Sequence, residues 1–294
     1  MIQPTKDDYE PDYYENLVKG SKEIELLIDR NFPLLREIYD REFFQKVREQ
    51  LEEMKKHDLS GPIHSVFVAL QHDKENNFKY KKLDHLDEYL KLIIYHPSTR
   101  KKDINYLKSE LKRETCINIW FEISILGNLL KQLKSSNITL YAPTRGGKNV
   151  EAEIILDVRP IYLETTVLGE SRGDLNTRAR MMKARKNVWS GSRNMEFDTN
   201  RVRLKLKDKS NQFSPKKPNV LILSFFDFFP VDFQINNAIR TNSNDNIGII
   251  MKFKRELFSN FITHNLDQTC FLTKLEVRKL KDLLSGSDYE PLIY

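Results

Sequence analysis

The sequence predicts an α/β fold in which helices flank a central sheet, with a mainly helical region before it. Apolar residues recur at three- and four-residue steps over residues 23–54 and 83–95, which is the period of an amphipathic helix. Short apolar or alternating runs follow from residue 138 onward, with helix-like segments between and after them. A sheet built from such runs buries its apolar faces against the helices.

Composition is compatible with a folded chain of one large or two smaller domains. The chain has 294 residues, of which 39% are hydrophobic, and this is enough for a core of ordinary size. No run of about 18 apolar residues exists, so we expect no membrane partner. Residues 1–14 are acidic and lack the apolar segment of a secretory signal. Cys116 and Cys270 are too few for a disulfide framework, and we expect a cytoplasmic, intracellular protein.

Residues 1–100 are predicted to be mainly helical. The clearest helix patterns cover 23–28, 34–54 and 83–95, while 63–70 fits either a strand or a buried helical turn. Residues 1–58 carry ten Lys/Arg against fifteen Asp/Glu. This acidic region could dock a protein partner. The turn-forming sequence 96–99 indicates the boundary to a second region, 101–294, which ends in a helical tail.

The second region opens with a predicted long helix over 103–134. Its middle, 117–130, is apolar on almost every side, as expected of a buried helix. Glu122 is the only charge in that run. Burying a lone carboxylate costs several kcal/mol unless a positive group meets it. Glu122 is therefore either a functional acid or a residue at the helix edge that reaches water.

An acidic β-hairpin is predicted next, with strands over 150–156 and 161–167. Because side chains alternate between the faces of a strand, Glu151 and Glu153 share one face of the first strand. Glu164 lies in the middle of the second strand. Acids inside apolar strands must be solvated, paired or bound to a metal. The alternatives are a solvent-facing hairpin with surface acids and a functional site.

The remaining elements alternate between strands and helices. A first strand is predicted over 138–142, before the hairpin, and two apolar strands are predicted over 220–226 and 247–253. Helices are predicted over 199–213 and 273–284. The first of these helices places Arg201, Lys205 and Lys209 on one face at four-residue steps, with Gln212 three residues further.

Positive charge is concentrated next to the hairpin. Residues 178–217 contain thirteen Lys/Arg and three Asp/Glu, a net of +10, whereas the whole chain carries +6. Such a cluster is typical of a surface that binds a polyanion, and a solvated charged helix is the alternative. The candidate contacts to nucleic acid are Arg178, Arg180, Lys183, Arg185, Lys186 and Arg201.

The order of these elements resembles the core of the PD-(D/E)XK nucleases, which have a restriction-endonuclease-like fold with a central mixed sheet. The resemblance covers roughly residues 105–253 and implies that this chain is a divergent member. It aligns Glu151 with the strand Asp of the family and Glu164 with the following Glu. Glu122 matches a helix carboxylate that many members add. Lys209 and Gln212 match the family's Lys-x-x-Gln.

Two departures affect the chemistry that the resemblance implies. Glu151 is one methylene longer than the family's Asp, and Thr166 stands where the family has a charged Lys. Some relatives supply the missing lysine from the neighbouring helix, and Lys205 or Lys209 could do so here. The resemblance implies a Mg²⁺- or Mn²⁺-dependent DNA nuclease, whose ion would be held by Glu122, Glu151 and Glu164.

Other functions remain open at this level. The chain could keep the fold and bind nucleic acid without cleaving it, or it could be a protein-interaction module. A homodimer is expected if both strands of a duplex are cut, because that reaction takes two sites. Glu153 is a substitute ligand if Glu151 does not take part, and a surface acid otherwise.

Overall fold

A computed structural model shows how these elements pack. The described residues are 13–57, 81–113, 116–144, 148–168, 195–213, 217–225, 237–238, 247–252, 262–265 and 272–284. Within these ranges the chain forms eight α-helices and one six-stranded mixed sheet, so the predicted α/β class is confirmed. None of the described helices is both long and apolar enough to cross a membrane. The ambiguous segment 63–70 lies outside the described residues.

Three helices form the described N-terminal part of the chain, and the second and third together cover the predicted helix over 34–54. They are α1 (Tyr13–Asn31), α2 (Pro33–Ile38) and α3 (Arg41–His57). The prediction of one continuous helix over 34–54 is wrong, because Tyr39 leaves helical geometry at ψ 70°. The Asp40 carboxylate then accepts a hydrogen bond from the backbone amide of Phe43 at 2.9 Å, and this caps the new helix. Apolar periodicity continues across the break and therefore does not reveal it.

The predicted helix over 103–134 is also two helices. The helices around this region are α4 (Lys81–Ile94), α5 (Lys101–Leu111) and α6 (Ile117–Gln132). At the end of α5 the Arg113 amide bonds to the Glu110 carbonyl, only three residues back, so the α-helical pattern stops there. Every residue from 119 to 129 is buried, which confirms the predicted buried helix.

Helix α6 packs closely against α4. A Cβ atom added to Gly127 would lie 2.3 Å from Cγ of Tyr89, so glycine permits the contact between these two helices. The helices on both sides of residue 100 share one hydrophobic cluster. The division of the chain at that residue stays a prediction.

The sheet confirms the predicted hairpin and its neighbours. Its strands are β1 (Ile138–Leu140), β2 (Ala152–Ile155), β3 (Pro160–Leu168), β4 (Asn219–Phe225), β5 (Ile249–Lys252) and β6 (Ile262–Asn265). They lie side by side in sequence order. The pairs β3–β4 and β4–β5 are parallel, and the other three pairs are antiparallel.

Helices cover both faces of the sheet. On one face, Ile154 and Leu163 belong to the large hydrophobic cluster that includes α6 and the N-terminal helices. On the other face, Tyr162 joins a second cluster with residues of α7 (Met195–Ser210). Adjacent residues of β3 thus enter different clusters, as strand alternation requires. Since β3 is covered on both sides, even its polar residues are enclosed by protein.

The last helix, α8 (Lys274–Leu284), is attached to the hairpin turn. The Glu276 amide donates to the Thr273 hydroxyl, and the Thr273 amide donates to the Glu276 carboxylate, which forms a capping box. The same carboxylate accepts two hydrogen bonds from Arg159 at 2.9 and 2.8 Å. The pKa of Glu276 is lowered to about 2, mainly by the bond from Arg159.

Candidate active site

The hairpin brings Glu151 and Glu164 together. Strand register pairs Ala152 with Leu163, so the next residues outward on the two strands are these two acids. The Glu151 amide donates to Oε1 of Glu164 at 3.1 Å, and the Thr165 amide donates to Oε2 of Glu151 at 2.7 Å. Glu151, directly before the start of β2, therefore accepts a hydrogen bond from a backbone amide of β3. Both carboxylates are held in fixed positions beside each other.

Lys209 reaches this pair from α7. Its Nζ lies 2.6 Å from Oε2 of Glu164 and 3.9 Å from Oε1 of Glu151. Lys205, one turn earlier, is half-buried and is attracted to the same two carboxylates. Thr166 lies on the Glu164 face of β3 and is buried without a charge. A helix lysine thus stands beside the acids where the strand offers none.

The position of α7 explains which of its residues meet the sheet. Val202 and Leu206 are fully buried in the second cluster and fix the rotation of the helix. Lys205 and Lys209 are then half-buried, as is Arg201 on the same side by helical spacing. The predicted common face therefore points toward the sheet and not into solvent.

Gln212 lies beyond the end of α7, so the prediction of a helix to residue 213 is wrong. The Ser210 hydroxyl donates to the Lys207 carbonyl at 2.9 Å, which favours termination of the helix. The backbone amide of Gln212 then donates to the Lys209 carbonyl at 3.0 Å, which closes a turn. Oε1 of Gln212 is buried with no hydrogen-bond partner among the described residues. The role assigned to Gln212 stays a prediction.

Glu122 approaches the pair from α6. It is 5% exposed, which excludes the alternative of a helix-edge acid that reaches water. Its Oε1 accepts a hydrogen bond from the Tyr141 hydroxyl at 2.9 Å. Repulsion from Glu164 and attraction to Lys209 both act on its charge. We call Glu122, Glu151, Glu164, Lys205 and Lys209 the acid–lysine cluster.

Burial dominates the electrostatics of this cluster. Loss of hydration raises the pKa of Glu122 to about 7, and it raises the pKa of Glu151 well above the ordinary value, with repulsion from neighbouring acids adding to the effect. The pKa of Glu164 is also raised by burial, against the attraction of Lys209. Burial lowers the pKa of Lys205, with repulsion from Lys209. In Lys209 attraction to the acids outweighs burial and raises the pKa.

Two tyrosines beside the cluster were missed at the level of sequence. Tyr141 has a φ of 52°, in the left-handed region, and its hydroxyl bonds to Glu122. Strand β1 accordingly ends at Leu140, two residues earlier than predicted. Tyr106 of α5 is 48% exposed, and burial of its hydroxyl together with the nearby acids raises its pKa. Neither residue belongs to a motif, so no sequence signal identifies them.

Other candidate residues are only partly described. Glu153 is half-buried and pairs in register with Tyr162, two positions inward from the two acids and on the same face of the sheet. Arg201 is the described member of the six candidate nucleic-acid contacts. The others, which lie outside the described residues, are Arg178, Arg180, Lys183, Arg185 and Lys186.

The donor chemistry of the cluster fits a divalent cation. Carboxylate oxygens are the ligands that Mg²⁺ takes in proteins. Three acids face two lysines, and repulsion among the acids adds to burial in raising the pKa values of Glu122 and Glu151. As the side chains stand, the described part of the chain contains no group of three His, Cys, Asp or Glu arranged to hold a metal. Ligation would therefore require Glu151 and Glu164, whose oxygens are bonded to Lys209 and to backbone amides, to turn toward Glu122.

Comparison with known proteins identifies no relative. No family model, no curated protein and no solved structure matches this chain.

Proposed function

We propose that this protein is a metal-dependent nuclease that hydrolyses phosphodiester bonds in DNA, with a divergent PD-(D/E)XK site on a restriction-endonuclease-like fold. The observation that carries the proposal is the contact of Lys209 with Glu164 and Glu151, at 2.6 and 3.9 Å. Lys209 supplies the positive charge that Thr166 cannot carry. Buried like-charged acids with a lysine between them are costly for folding alone, and perturbed pKa values of this kind are typical of catalytic sites.

Each group in the cluster has a role that its chemistry allows. Glu122, Glu151 and Glu164 would hold Mg²⁺ or Mn²⁺, which lowers the pKa of a bound water and neutralises phosphate charge. Lys209 carries a positive charge, stabilised by the neighbouring acids, that would orient a water and offset charge developing on the phosphate. Lys205, one turn away, adds a second positive charge at the same edge.

Substrate binding is assigned to the basic stretch that surrounds α7. Arg203 and Lys207 are exposed one turn apart on the outer face of this helix. They belong to the thirteen basic residues of 178–217. Cations that neutralise backbone phosphates release counterions, so affinity should fall steeply with salt. The inner face of α7 would thus serve chemistry while the outer face serves attraction of the polyanion.

The test is incubation of the wild-type protein with single-stranded, duplex and branched DNA, each with Mg²⁺, Mn²⁺ or EDTA. We expect cleavage of at least one form with metal and none with EDTA. Cutting of both strands of a duplex would support the proposed homodimer, which size measurement on the same sample would check. Cleavage that persists in EDTA would overturn the metal dependence, and no cleavage of any form would overturn the nuclease activity.

A second candidate is a protein that binds nucleic acid without cleaving it. The observation that favours it is the engagement of the acids with Lys209 and backbone amides, which occupies oxygens that a metal would need. In that case DNA binding should depend on salt while no divalent ion supports cleavage. Replacing the five candidate residues of 178–186 by Ala should flatten the salt dependence under either function. An unchanged slope would show that this stretch does not contact the nucleic acid.

A further inference from the structure

We infer that Tyr141 is a positioning residue, which sets the orientation of Glu122 for metal binding and ties it to the strand end that carries Glu151. The inference rests on the proposed function, since it concerns the same acid–lysine cluster. It adds a residue that no sequence motif marks. Its basis is the set of contacts that Tyr141 makes with three different parts of the fold.

Tyr141 is fixed at both of its backbone polar groups. Its amide donates to the Glu151 carbonyl at 2.8 Å, so it is tied to the residue that begins the acid pair. Its carbonyl accepts a hydrogen bond from Arg100 at 3.1 Å. Arg100 is itself held by two bonds to the Asp103 carboxylate, at 2.7 and 3.1 Å. The position of the tyrosine is therefore set from the sheet and from the start of α5.

The side chain of Tyr141 bonds to the acid cluster. Its hydroxyl donates to Oε1 of Glu122 at 2.9 Å. Among the described residues this hydroxyl is the one side-chain donor bonded to the Glu122 carboxylate, which is 5% exposed. Without it, one buried oxygen would lose its partner and the carboxylate would be free to rotate. Tyr141 thus connects Glu122 of α6 with Glu151, directly before the start of β2.

The backbone of Tyr141 is strained, which favours a specific role. A φ of 52° is uncommon for a residue with a bulky side chain, and it costs of order 1–3 kcal/mol. Tyr141 is the one non-glycine residue with positive φ in the described ranges. A glycine would relieve the strain but would remove the hydroxyl. The strained geometry directs the phenol toward Glu122 while the amide stays bonded to Glu151.

The first variant to test is Tyr141→Phe, which keeps the ring and removes only the hydroxyl. Mn²⁺ binding is measured by titration calorimetry, with far-UV circular dichroism as the check on folding. We expect the dissociation constant for Mn²⁺ to rise about 10–100-fold, as is typical when a residue that supports a metal ligand is lost. The Mn²⁺ concentration for half-maximal DNA cleavage should rise by the same factor, and saturating Mn²⁺ should restore the maximal rate.

The matched control is Tyr106→Phe. This hydroxyl lies near the same acids, but it makes no described hydrogen bond to them, so its Mn²⁺ affinity should stay within about twofold of wild type. A second measurement uses Glu122→Gln as background, in which Tyr141→Phe should cause no further loss of Mn²⁺ affinity, because the tyrosine acts through that carboxylate. If Tyr141→Phe lowers Mn²⁺ affinity as much in the Glu122→Gln background as in wild type, the inference is overturned.

The remaining outcomes separate this inference from the proposed function. If wild type binds Mn²⁺ and Tyr141→Phe binds it equally well, the positioning role is overturned while the metal site stands. If wild type binds no Mn²⁺, the metal site is overturned, and the role of Tyr141 with it. A rise in the dissociation constant that appears in Tyr141→Phe and not in Tyr106→Phe supports the role.

Discussion

Replacing Glu122 by Gln should make the metal-free protein more stable at pH 8. The wild-type carboxylate is buried on α6, where it meets Glu164 and Glu151 from the hairpin, Lys209 from α7 and the hydroxyl of Tyr141. Glutamine has nearly the same shape and can accept the same hydrogen bond from the tyrosine. It carries no charge, so it avoids the cost of burying one.

The magnitude follows from the pKa of Glu122, which is raised from 4.5 to about 7. At about 1.4 kcal/mol per pKa unit, the folded state opposes ionisation of this group by about 3 kcal/mol. Because the folded protein holds the proton more tightly than the unfolded chain, stability falls as pH rises from 4.5 to 7. The cost is absent below pH 4.5 and complete above pH 7. Glu122→Gln should therefore gain up to about 3 kcal/mol at pH 8 and little at pH 4.5.

Urea unfolding at the two pH values, with EDTA present, measures this difference. Glu153→Gln is the control, because it removes a half-buried acid from the hairpin face that carries Glu151. Its effect should stay within about 0.5 kcal/mol at both pH values, as for an ordinary surface change. If Glu122→Gln is no more stable than wild type at pH 8, ionisation of the buried Glu122 carboxyl does not destabilise the folded state.

Three further predictions concern catalysis and packing. Lys209→Ala should abolish metal-dependent cleavage, and adding Thr166→Lys should restore part of the initial rate; a fully active Lys209→Ala would show that another cation serves the site. Gly127→Ala should lower the free energy of unfolding by about 1–3 kcal/mol, because its Cβ would lie 2.3 Å from the Tyr89 ring; urea unfolding with no change in midpoint would contradict this. Glu276→Gln should cost about 2 kcal/mol at pH 7, discounted for the partly exposed Arg159. Since the pKa of Glu276 is lowered to about 2, this stabilisation is present above pH 4.5 and should disappear as pH falls toward 2. A Glu276→Gln effect that is the same at pH 7 and pH 3 would contradict the pairing.

Five of the six described strands could be predicted from sequence because their patterns are local, whereas β6 is not predicted. Alternation of Glu151 with apolar neighbours, and the apolar run of β3, predict the two strands of the hairpin to within two residues of their observed ends. The helix period likewise places Lys205 and Lys209 on one side of α7. Val202 and Leu206, which are also four residues apart, are fully buried and determine which side of α7 meets the sheet.

The features that sequence does not give depend on backbone geometry and tertiary contacts. The break at Tyr39 preserves the apolar period on both sides, so periodicity continues through it. The end of α7 before Gln212 depends on the bond of the Ser210 hydroxyl to the backbone. The left-handed Tyr141 is held by hydrogen bonds of its backbone groups to Arg100, which is 41 residues away in the sequence, and to Glu151, which lies on the other side of a loop. Single residues of ordinary type carry no local signal for such contacts.

The most direct test of the proposed site compares wild type with Glu164→Ala in one cleavage assay. Glu164 is 2% exposed and bonds to Lys209 at the centre of the acid–lysine cluster. With labelled DNA and Mn²⁺, wild type should cleave and the variant should not. DNA binding in EDTA should be similar for both proteins, because the basic residues of 178–217 are unchanged. Cleavage by Glu164→Ala at the wild-type rate would contradict the site proposed for this protein.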